Sequence, residues 1–380
     1  MANRYAALDG LRGAAAMVVF GFHVPWTSHL LGVAPLRNGY LAVDLFFMLS
    51  GFVIAAAYQA RLDSRSAAAD FLKRRFFRVY PMHVVVLVAL LVLEIARLVA
   101  QHAGVMAGRP AFSGDFSPQA FVIQLLFLQG SGLFANIGWN VPSWSVSAEA
   151  VAYVLFAIAG VAGLLRRPRL VILAGVAGFA IYLAIDLHSG RVGTIRHLAS
   201  LRCAAGFAIG TMLYGLGDSR LHAVLAAAPP RALGAIQVAL VALLLATLTI
   251  GTGRLSVLNI PVLAALLLTL QFDRGAVASF LCSRPLQALG RWSYSIYLIH
   301  LALMLQAATL LEHFGAPVGL DDFGGEQAQV PLLLGDALFV LAVAAVLALA
   351  AFTYRRIEAP AREWGRRPWR AAVPATAAAE

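Results

Sequence analysis

The sequence predicts an all-α membrane protein, a bundle of about ten transmembrane helices with short connecting loops. Three observations indicate this class. Hydrophobic residues make up 61% of the 380-residue chain and charged residues only 12%. The mean hydropathy is +0.81. The apolar residues also fall into runs of about 17–25, the length that crosses a bilayer as a helix. A soluble domain with a charged surface does not have this composition.

Ten apolar runs have the required length, and an eleventh segment does not. The first run begins with acidic and basic residues instead of a basic leader, so it is interpreted as retained in the protein. Residues 111–145 contain a short apolar piece broken by glycines and a proline, which predicts a re-entrant or interfacial segment. Residues 1–370 then form one transmembrane domain, and residues 371–380 (AAVPATAAAE) form a disordered tail. The predicted spans are residues 8–29, 41–58, 79–100, 146–165, 170–187, 198–216, 233–250, 257–272, 294–313 and 333–354.

The basic residues predict the orientation. Arginine accounts for 28 of the 29 basic residues; 21 of the 29 fall at the termini and in the loops of one side, and five fall in the loops of the other side. Basic loops stay in the cytoplasm, so both termini are expected there. The net charge of +11 therefore reflects topology and membrane lipids, and no nucleic-acid partner is expected. The two cysteines, Cys203 and Cys282, have no metal-ligand spacing, so no metal site is predicted.

Two polar side chains in the first span predict a functional site. Arg12 and His23 are eleven residues apart, which places them within about 20° of one helix face and about 16 Å apart along the axis. Such residues are costly inside a bilayer and are tolerated where they face protein or a water-filled cavity. We therefore expect both to face one groove. A satisfied buried histidine is the alternative for His23.

The second span carries Asp44 at about the predicted depth of His23. A carboxylate there could hold the imidazole in one tautomer and raise its basicity, as is usual for a histidine that acts as a base. The alternative is a carboxylate at the start of a helix that touches water. Both interpretations remain open at this stage.

Arg75 and Arg78 precede the third span, three residues apart and on one helical face, just outside the cytoplasmic headgroups. Guanidinium groups bind phosphate oxygens in a bidentate manner, so this pair suits a phosphorylated ligand. Anchoring to lipid headgroups is the alternative.

Ser145 and Glu149 are four residues apart at the predicted outer end of the fourth span, again on one face. Ser145 could instead cap that helix. Trp139 and Trp144 are expected at the membrane interface, where indoles concentrate, or stacked on a sugar ring. His300 is predicted in the inner half of the ninth span, and its role stays open.

Together these segments resemble the acyltransferase 3 family, membrane-bound enzymes that O-acylate bacterial cell-surface glycans. The similar segments follow the order of the family across nearly the whole chain. They are LDGLRGAAAMVVFGFH with Arg12 and His23, GYLAVDLFFMLSGFVI, RFFR with Arg75 and Arg78, PSWSVSAE with Ser145 and Glu149, and YSIYLIH ending at His300.

The resemblance implies an O-acyltransferase of the bacterial inner membrane. Acyl-coenzyme A, with acetyl-coenzyme A the expected donor, would bind from the cytoplasm with its phosphates near Arg12, Arg75 and Arg78, and Ser145 would contribute to donor binding. His23 would act as a base on a hydroxyl of a glycan or lipid-linked glycan, or would carry the acyl group onward. Asp44 and Glu149 are the candidates that assist it.

Two other interpretations remain open at the level of the sequence. The polar residues of the spans could be the substrate or proton sites of a transporter or flippase for a sugar-linked substrate. The acceptor of an acyltransferase could also be a small metabolite or a lipid.

Overall fold

The computed structural model describes residues 5–106, 108–134, 138–193, 197–250, 256–320 and 325–368. The described part is a helical bundle with one short hairpin, β1 (Val318–Leu320) and β2 (Glu326–Ala328), paired antiparallel. Its helices are α1 (Ala6–Phe22), α2 (Ala34–Arg37), α3 (Ala42–Tyr58), α4 (Arg65–His102), α5 (Pro118–Leu125), α6 (Ser143–Val161), α7 (Pro168–Ser189), α8 (Ala199–Gly215), α9 (Arg220–Ala227), α10 (Pro230–Ile250), α11 (Asn259–Leu270), α12 (Ala276–Leu281), α13 (Arg284–His313), α14 (Leu332–Thr353) and α15 (Ala359–Arg366).

The predicted all-α membrane bundle is confirmed. Within the described ranges, eight helical stretches are long and apolar enough to cross a membrane. The shorter helices α1 and α11 match the first and eighth predicted spans, so all ten predicted spans correspond to a helix, although α1 ends at Phe22 and not at residue 29 as predicted. The chain is a multi-pass membrane protein. The predicted tail, residues 371–380, lies outside the described residues.

Three helices extend beyond the ends of the predicted spans 79–100, 294–313 and 333–354. Helix α4 begins at Arg65, and α13 begins at Arg284. The last span continues from α14 through a π-helical turn, Tyr354–Glu358, into α15. These extensions are too polar to be recognised as membrane spans from their hydropathy. Within the bundle they form helices because they pack against other helices.

Residues 111–134 and 138–142 form a short helix, α5, and irregular chain that packs on the bundle, as expected for a re-entrant or interfacial segment. The indole of Trp139 donates to the carbonyl oxygen of Ser117 at 2.9 Å, and the ring of Trp144 packs on Phe47. Trp139 is 1% exposed and Trp144 is 4% exposed. Both indoles are part of the protein core and are not open to stack on a sugar ring, while their expected depth at the membrane interface stays a prediction.

Helices α1 and α13 pack against each other almost without a gap. A Cβ added at Gly13 would collide with the backbone of Gly290, and a Cβ added at Gly290 would collide with the backbone of Asp9. Small residues let helix backbones approach closely in membranes. The polar face of α1 is consequently held against α13 along its length.

Candidate active site

A polar cavity lies between α1, α3, α4, α6 and α13, and we call it the arginine cavity. Five of the seven predicted site residues line it, although they come from three separate helices. Its polar lining consists of Arg12, Ser50, Arg75, Arg78, Ser145, Glu149, Tyr153, Ser293, Tyr294 and Tyr297.

Arg12 enters the cavity from α1 and is held on two sides. Its Nη2 forms an ion pair with Asp9 at 2.8 Å, one helical turn earlier. Its Nε donates to Ser293 Oγ at 3.1 Å. An arginine inside a bundle needs such partners, because an unpaired charge away from water is costly.

Arg78 binds a carboxylate that sequence reasoning missed. Its Nη1 forms an ion pair with Glu358 in the π-helical turn, and Ser295 Oγ donates to the other oxygen of Glu358 at 2.9 Å. The sequence predicted that Glu358 belongs to a cytoplasmic tail. The only feature of the sequence that could have indicated its role is that it is an acidic residue just after the last apolar run. π-Helical turns occur frequently at functional sites.

Arg75 differs from the other two cavity arginines. Its guanidinium lies 5.7 Å from the ring centre of Tyr58 and 6.0 Å from that of Phe71. Its Nε is buried and has no hydrogen-bond partner. A buried donor without a partner carries a desolvation cost of about 1–3 kcal/mol. Arg75 and Arg78 therefore face the inside of the bundle instead of the surrounding lipid, while their depth relative to the headgroups stays a prediction.

Ser145 and Glu149 line the cavity from α6, on the common face that their spacing predicts. Glu149 lies beside Ser50 and Tyr153 and interacts electrostatically with Arg75. Ser145 Oγ donates to the carbonyl oxygen of Pro142 at 3.1 Å. Ser145 lies within α6, whose first residue has no side-chain cap, so the alternative of a helix cap is wrong.

Asp44 has a different partner from the one expected. Both of its oxygens accept from Arg202, at 2.7 and 2.8 Å, and Oδ1 also accepts from Tyr182 at 2.9 Å. Asp44 is 0% exposed, so it does not touch water either. Asp44 therefore neither contacts His23 nor touches water, so both expectations for this carboxylate are wrong. Arg202 of α8 binds it instead.

His23 meets a second histidine. It lies directly after the last residue of α1, with its Nδ1 2.9 Å from the carbonyl oxygen of Val19. His300 Nε2 lies 3.2 Å from the same Nδ1, and the two ring centres are 4.9 Å apart. We call these two residues the histidine pair. His300 is at the level of His23 instead of in the inner half of its span, because α13 begins ten residues earlier than predicted.

The arginine cavity and the histidine pair lie along the same two helices but are separated by a side chain. Arg12 contacts Ser293 and His23 contacts His300, seven residues further along α13. The predicted common face of Arg12 and His23 is therefore confirmed. Neither histidine lines the cavity, however, so the two side chains do not share one open groove.

Tyr297 is the side chain between them. Its hydroxyl lies 2.7 Å from Ser145 Oγ. Its ring centre is 5.6 Å from that of Phe46 and 5.9 Å from that of His300. Tyr297 thus borders the cavity on one side and the histidine pair on the other.

Comparison with known proteins identifies the class. The family profile described as an acyltransferase domain, acyltransferase 3, matches residues 5–355. The chain belongs to this family and is an acyltransferase. No solved structure matches it.

Three named proteins illustrate the likeness. The "Protein 2 in picA locus" of Rhizobium radiobacter is 34% identical over 182 residues, which cover 45% of this chain and 90% of that protein. The "Acyltransferase MdmB" of Streptomyces mycarofaciens is 33% identical over 162 residues, 40% of this chain and 38% of that protein. The "Putative membrane-bound transacylase BcsY" of Komagataeibacter xylinus is 27% identical over 316 residues, 78% of this chain and 72% of that protein.

Proposed function

We propose that the protein is an O-acyltransferase that moves an acyl group, acetyl in the first instance, from acyl-coenzyme A to a hydroxyl of a cell-surface or exported glycan. The observation that carries this proposal is the alignment of two sites along α1 and α13. Three arginines, Arg12 among them, line a cavity at one end, and His23 meets His300 at the other. A donor with a phosphorylated head and a reactive thioester tip fits this arrangement.

The arginine cavity is suited to the phosphates of the donor. Arg75 has a buried Nε donor without a partner, and a phosphate oxygen would satisfy it. Arg12 and Arg78 add two further guanidinium groups. Since Asp9 and Glu358 already neutralise these two, Arg75 is the group with the most to gain from an anionic ligand.

The reactive end of the donor would lie at the histidine pair. Arg12 and His23 are separated by about 16 Å of helix, a distance that the extended pantetheine arm of coenzyme A bridges. The arm would pass Tyr297, so donor binding would move the tyrosine ring away from Ser145. This step connects the two sites during each reaction cycle.

His23 would act as the general base at that end. Its Nδ1 is already bound to the carbonyl oxygen of Val19, which leaves Nε2 to accept a proton. Nε2 would take the proton of the acceptor hydroxyl while the hydroxyl oxygen forms a bond to the thioester carbonyl carbon. The carbon–sulfur bond then breaks, and the departing thiolate of coenzyme A receives the proton from His23.

The arginine distribution supports a location in the bacterial inner membrane with both termini in the cytoplasm. The amino-terminal end of α1, with Arg12, would then face the cytoplasmic pool of acyl-coenzyme A. The histidine pair would lie towards the outer face, where a glycan or lipid-linked glycan could present its hydroxyl.

The transfer step is tested by His23→Ala. We expect this variant to abolish O-acetylation of surface glycans in a host strain that lacks its own copy, as measured by mass spectrometry of the glycans. His102→Ala is a matched control, because His102 Nδ1 also lies 2.9 Å from the carbonyl oxygen four residues earlier, that of Leu98, but away from the cavity. Full acetylation by His23→Ala would refute the proposal.

Donor binding is tested with acetyl-coenzyme A and detergent-purified protein in a calorimeter. We expect Arg75→Ala to weaken binding by about 10-fold or more, since a hydrogen bond to a charged group contributes about 1.5–3 kcal/mol. Arg97→Ala is the control, because Arg97 contacts Thr309 outside the cavity. A wild-type protein that does not bind acetyl-coenzyme A would also refute the proposal.

A further inference from the structure

His300 is the one histidine of the structure's described part that contacts His23, and the proposed reaction does not yet use it. It is 0% exposed. Its Nδ1 lies 3.2 Å from the carbonyl oxygen of Ile296, one helical turn earlier in α13. Its Nε2 points at His23.

The two backbone carbonyls determine where the protons of the histidine pair lie. A carbonyl oxygen can only accept, so the Nδ1 facing it must donate. This places a proton on Nδ1 of His23, facing Val19, and on Nδ1 of His300, facing Ile296. In a neutral imidazole the other nitrogen is then an acceptor. The one Nδ1–H of His23 therefore faces two acceptors, the carbonyl oxygen of Val19 at 2.9 Å and the Nε2 lone pair of His300 at 3.2 Å.

We propose that His300 is a positioning residue for His23. Its Nε2 shares the Nδ1–H of His23 with the carbonyl oxygen of Val19 and so helps to keep that proton on Nδ1, which leaves the Nε2 lone pair of His23 ready for the acceptor hydroxyl. When His23 Nε2 takes the hydroxyl proton, the ring becomes an imidazolium, and its Nδ1–H bond to His300 strengthens. No proton moves to His300. A carboxylate has this role in the Ser-His-Asp triad.

The surroundings of the pair favour a neutral partner. The nearest further titratable side chain on α13 is Tyr297, whose ring centre lies 5.9 Å from that of His300 and whose hydroxyl is engaged with Ser145. Asp44, the carboxylate expected in this role, is bound to Arg202. An imidazole, that of His300, takes the place that was expected for the carboxylate of Asp44.

Two substitutions separate this role from simple packing. Glutamine places its terminal amide near the position of the imidazole Nε2, so His300→Gln keeps an acceptor facing His23. Asparagine is shorter and places its amide near the position of Nδ1, so His300→Asn loses that acceptor. This inference rests on the proposed function, and the assay is again acetylation of surface glycans, with acetyl-coenzyme A binding as the measure of an intact donor site.

We expect His300→Asn to lower the acetylation rate by about 10²-fold, within the range of about 10²–10⁴ that general-base catalysis contributes. We expect His300→Gln to retain most of the rate. Donor affinity should change little in both variants, because the arginines proposed to bind the donor phosphates lie in the cavity, which neither histidine lines. The same two substitutions at His83, a buried histidine whose Nε2 lies 2.9 Å from the carbonyl oxygen of Gln124, are the matched controls and should leave acetylation unchanged.

Equal rates for His300→Gln and His300→Asn would overturn the inference. If His23→Ala is inactive in the same experiment, the proposed function survives that result; if His23→Ala is active, the proposed function fails as well. A second measurement does not depend on the folding of a variant. The ¹⁵N NMR spectrum of histidine-labelled wild-type protein should show His23 protonated on Nδ1, assigned by comparison with His23→Ala, and protonation on Nε2 alone would also overturn the inference.

Discussion

Two buried arginine–carboxylate pairs within the bundle differ in their access to a ligand. Arg202 and Asp44 form a two-pronged pair in which the arginine is 1% exposed and the carboxylate 0%. Arg78 and Glu358 form the other pair, with the arginine 16% exposed and lining the cavity. The first pair is closed on all sides, whereas the second has one open side.

This difference separates a structural role from a ligand-binding role. The Arg202 guanidinium is enclosed by Asp44 and by the ring of Trp144, 5.5 Å away. Arg202 could not bind a ligand in place of Asp44 without disruption of the core. Arg78 shares Glu358 with Ser295 and faces a cavity, so an anion inside the cavity could contact it.

The largest expected effect follows from breaking the closed pair. Asp44→Ala leaves Arg202 buried without a counter-charge, and we expect it to lower the free energy of unfolding by about 3–5 kcal/mol. Thermal unfolding in detergent micelles measures this. Replacing both residues, Asp44→Leu with Arg202→Met, should recover much of the loss, because no unpaired charge then remains.

The same variant tests the role that the sequence predicted for Asp44. If Asp44→Ala unfolded at the wild-type temperature but no longer acetylated glycans, Asp44 would be part of the catalytic machinery and the distinction between the two pairs would fail.

A smaller effect is expected from Tyr182→Phe. This change removes one hydrogen bond to the Asp44 carboxylate, while both bonds from Arg202 remain. Because a hydrogen bond to a charged group contributes about 1.5–3 kcal/mol, we expect a loss of stability of about 1.5 kcal/mol, measured in the same unfolding experiment. Donor affinity should stay the same. A change in affinity would show that the closed pair also influences the cavity.

The smallest expected effect comes from the open pair. Glu358→Gln removes a negative charge beside Arg78 but keeps an oxygen for Ser295. We expect acetyl-coenzyme A to bind about threefold more tightly, a change of about 0.65 kcal/mol, because Arg78 becomes a free cation for phosphate. Calorimetric titration measures it. Weaker binding, together with a lower unfolding temperature, would assign the open pair a structural role like that of the closed one.

Much of the fold follows from local sequence properties. The ten apolar runs predicted ten helices, and spacing predicted that Arg12 and His23 share a face, as do Ser145 and Glu149. Run length and the 100° helical period are properties of neighbouring residues, so they need no tertiary information. The helix ends were less predictable, since polar residues such as Arg78 continue a helix when the bundle supplies partners.

The partners of the buried polar residues could not be predicted in this way. His23 meets His300 across 277 residues of sequence, Arg78 meets Glu358 across 280, and Asp44 meets Arg202 across 158. Each pair depends on which helices pack together and in which register. A single sequence shows neither the helix packing nor the register. The expected contact between Asp44 and His23 is therefore wrong, because the Asp44 side chain faces α8 instead of His23.

The sequence by itself determined where the apolar helices lie, which side chains share a helical face, and that charged groups lie among these helices, because burial of apolar surface and helical periodicity act over short stretches of chain. Only the tertiary structure decided which charge neutralises which, and that Tyr297 stands between the arginines and the histidines. Those outcomes depend on the close packing of helix backbones, such as that of α1 and α13 at Gly13 and Gly290, which sets the distances between side chains far apart in sequence.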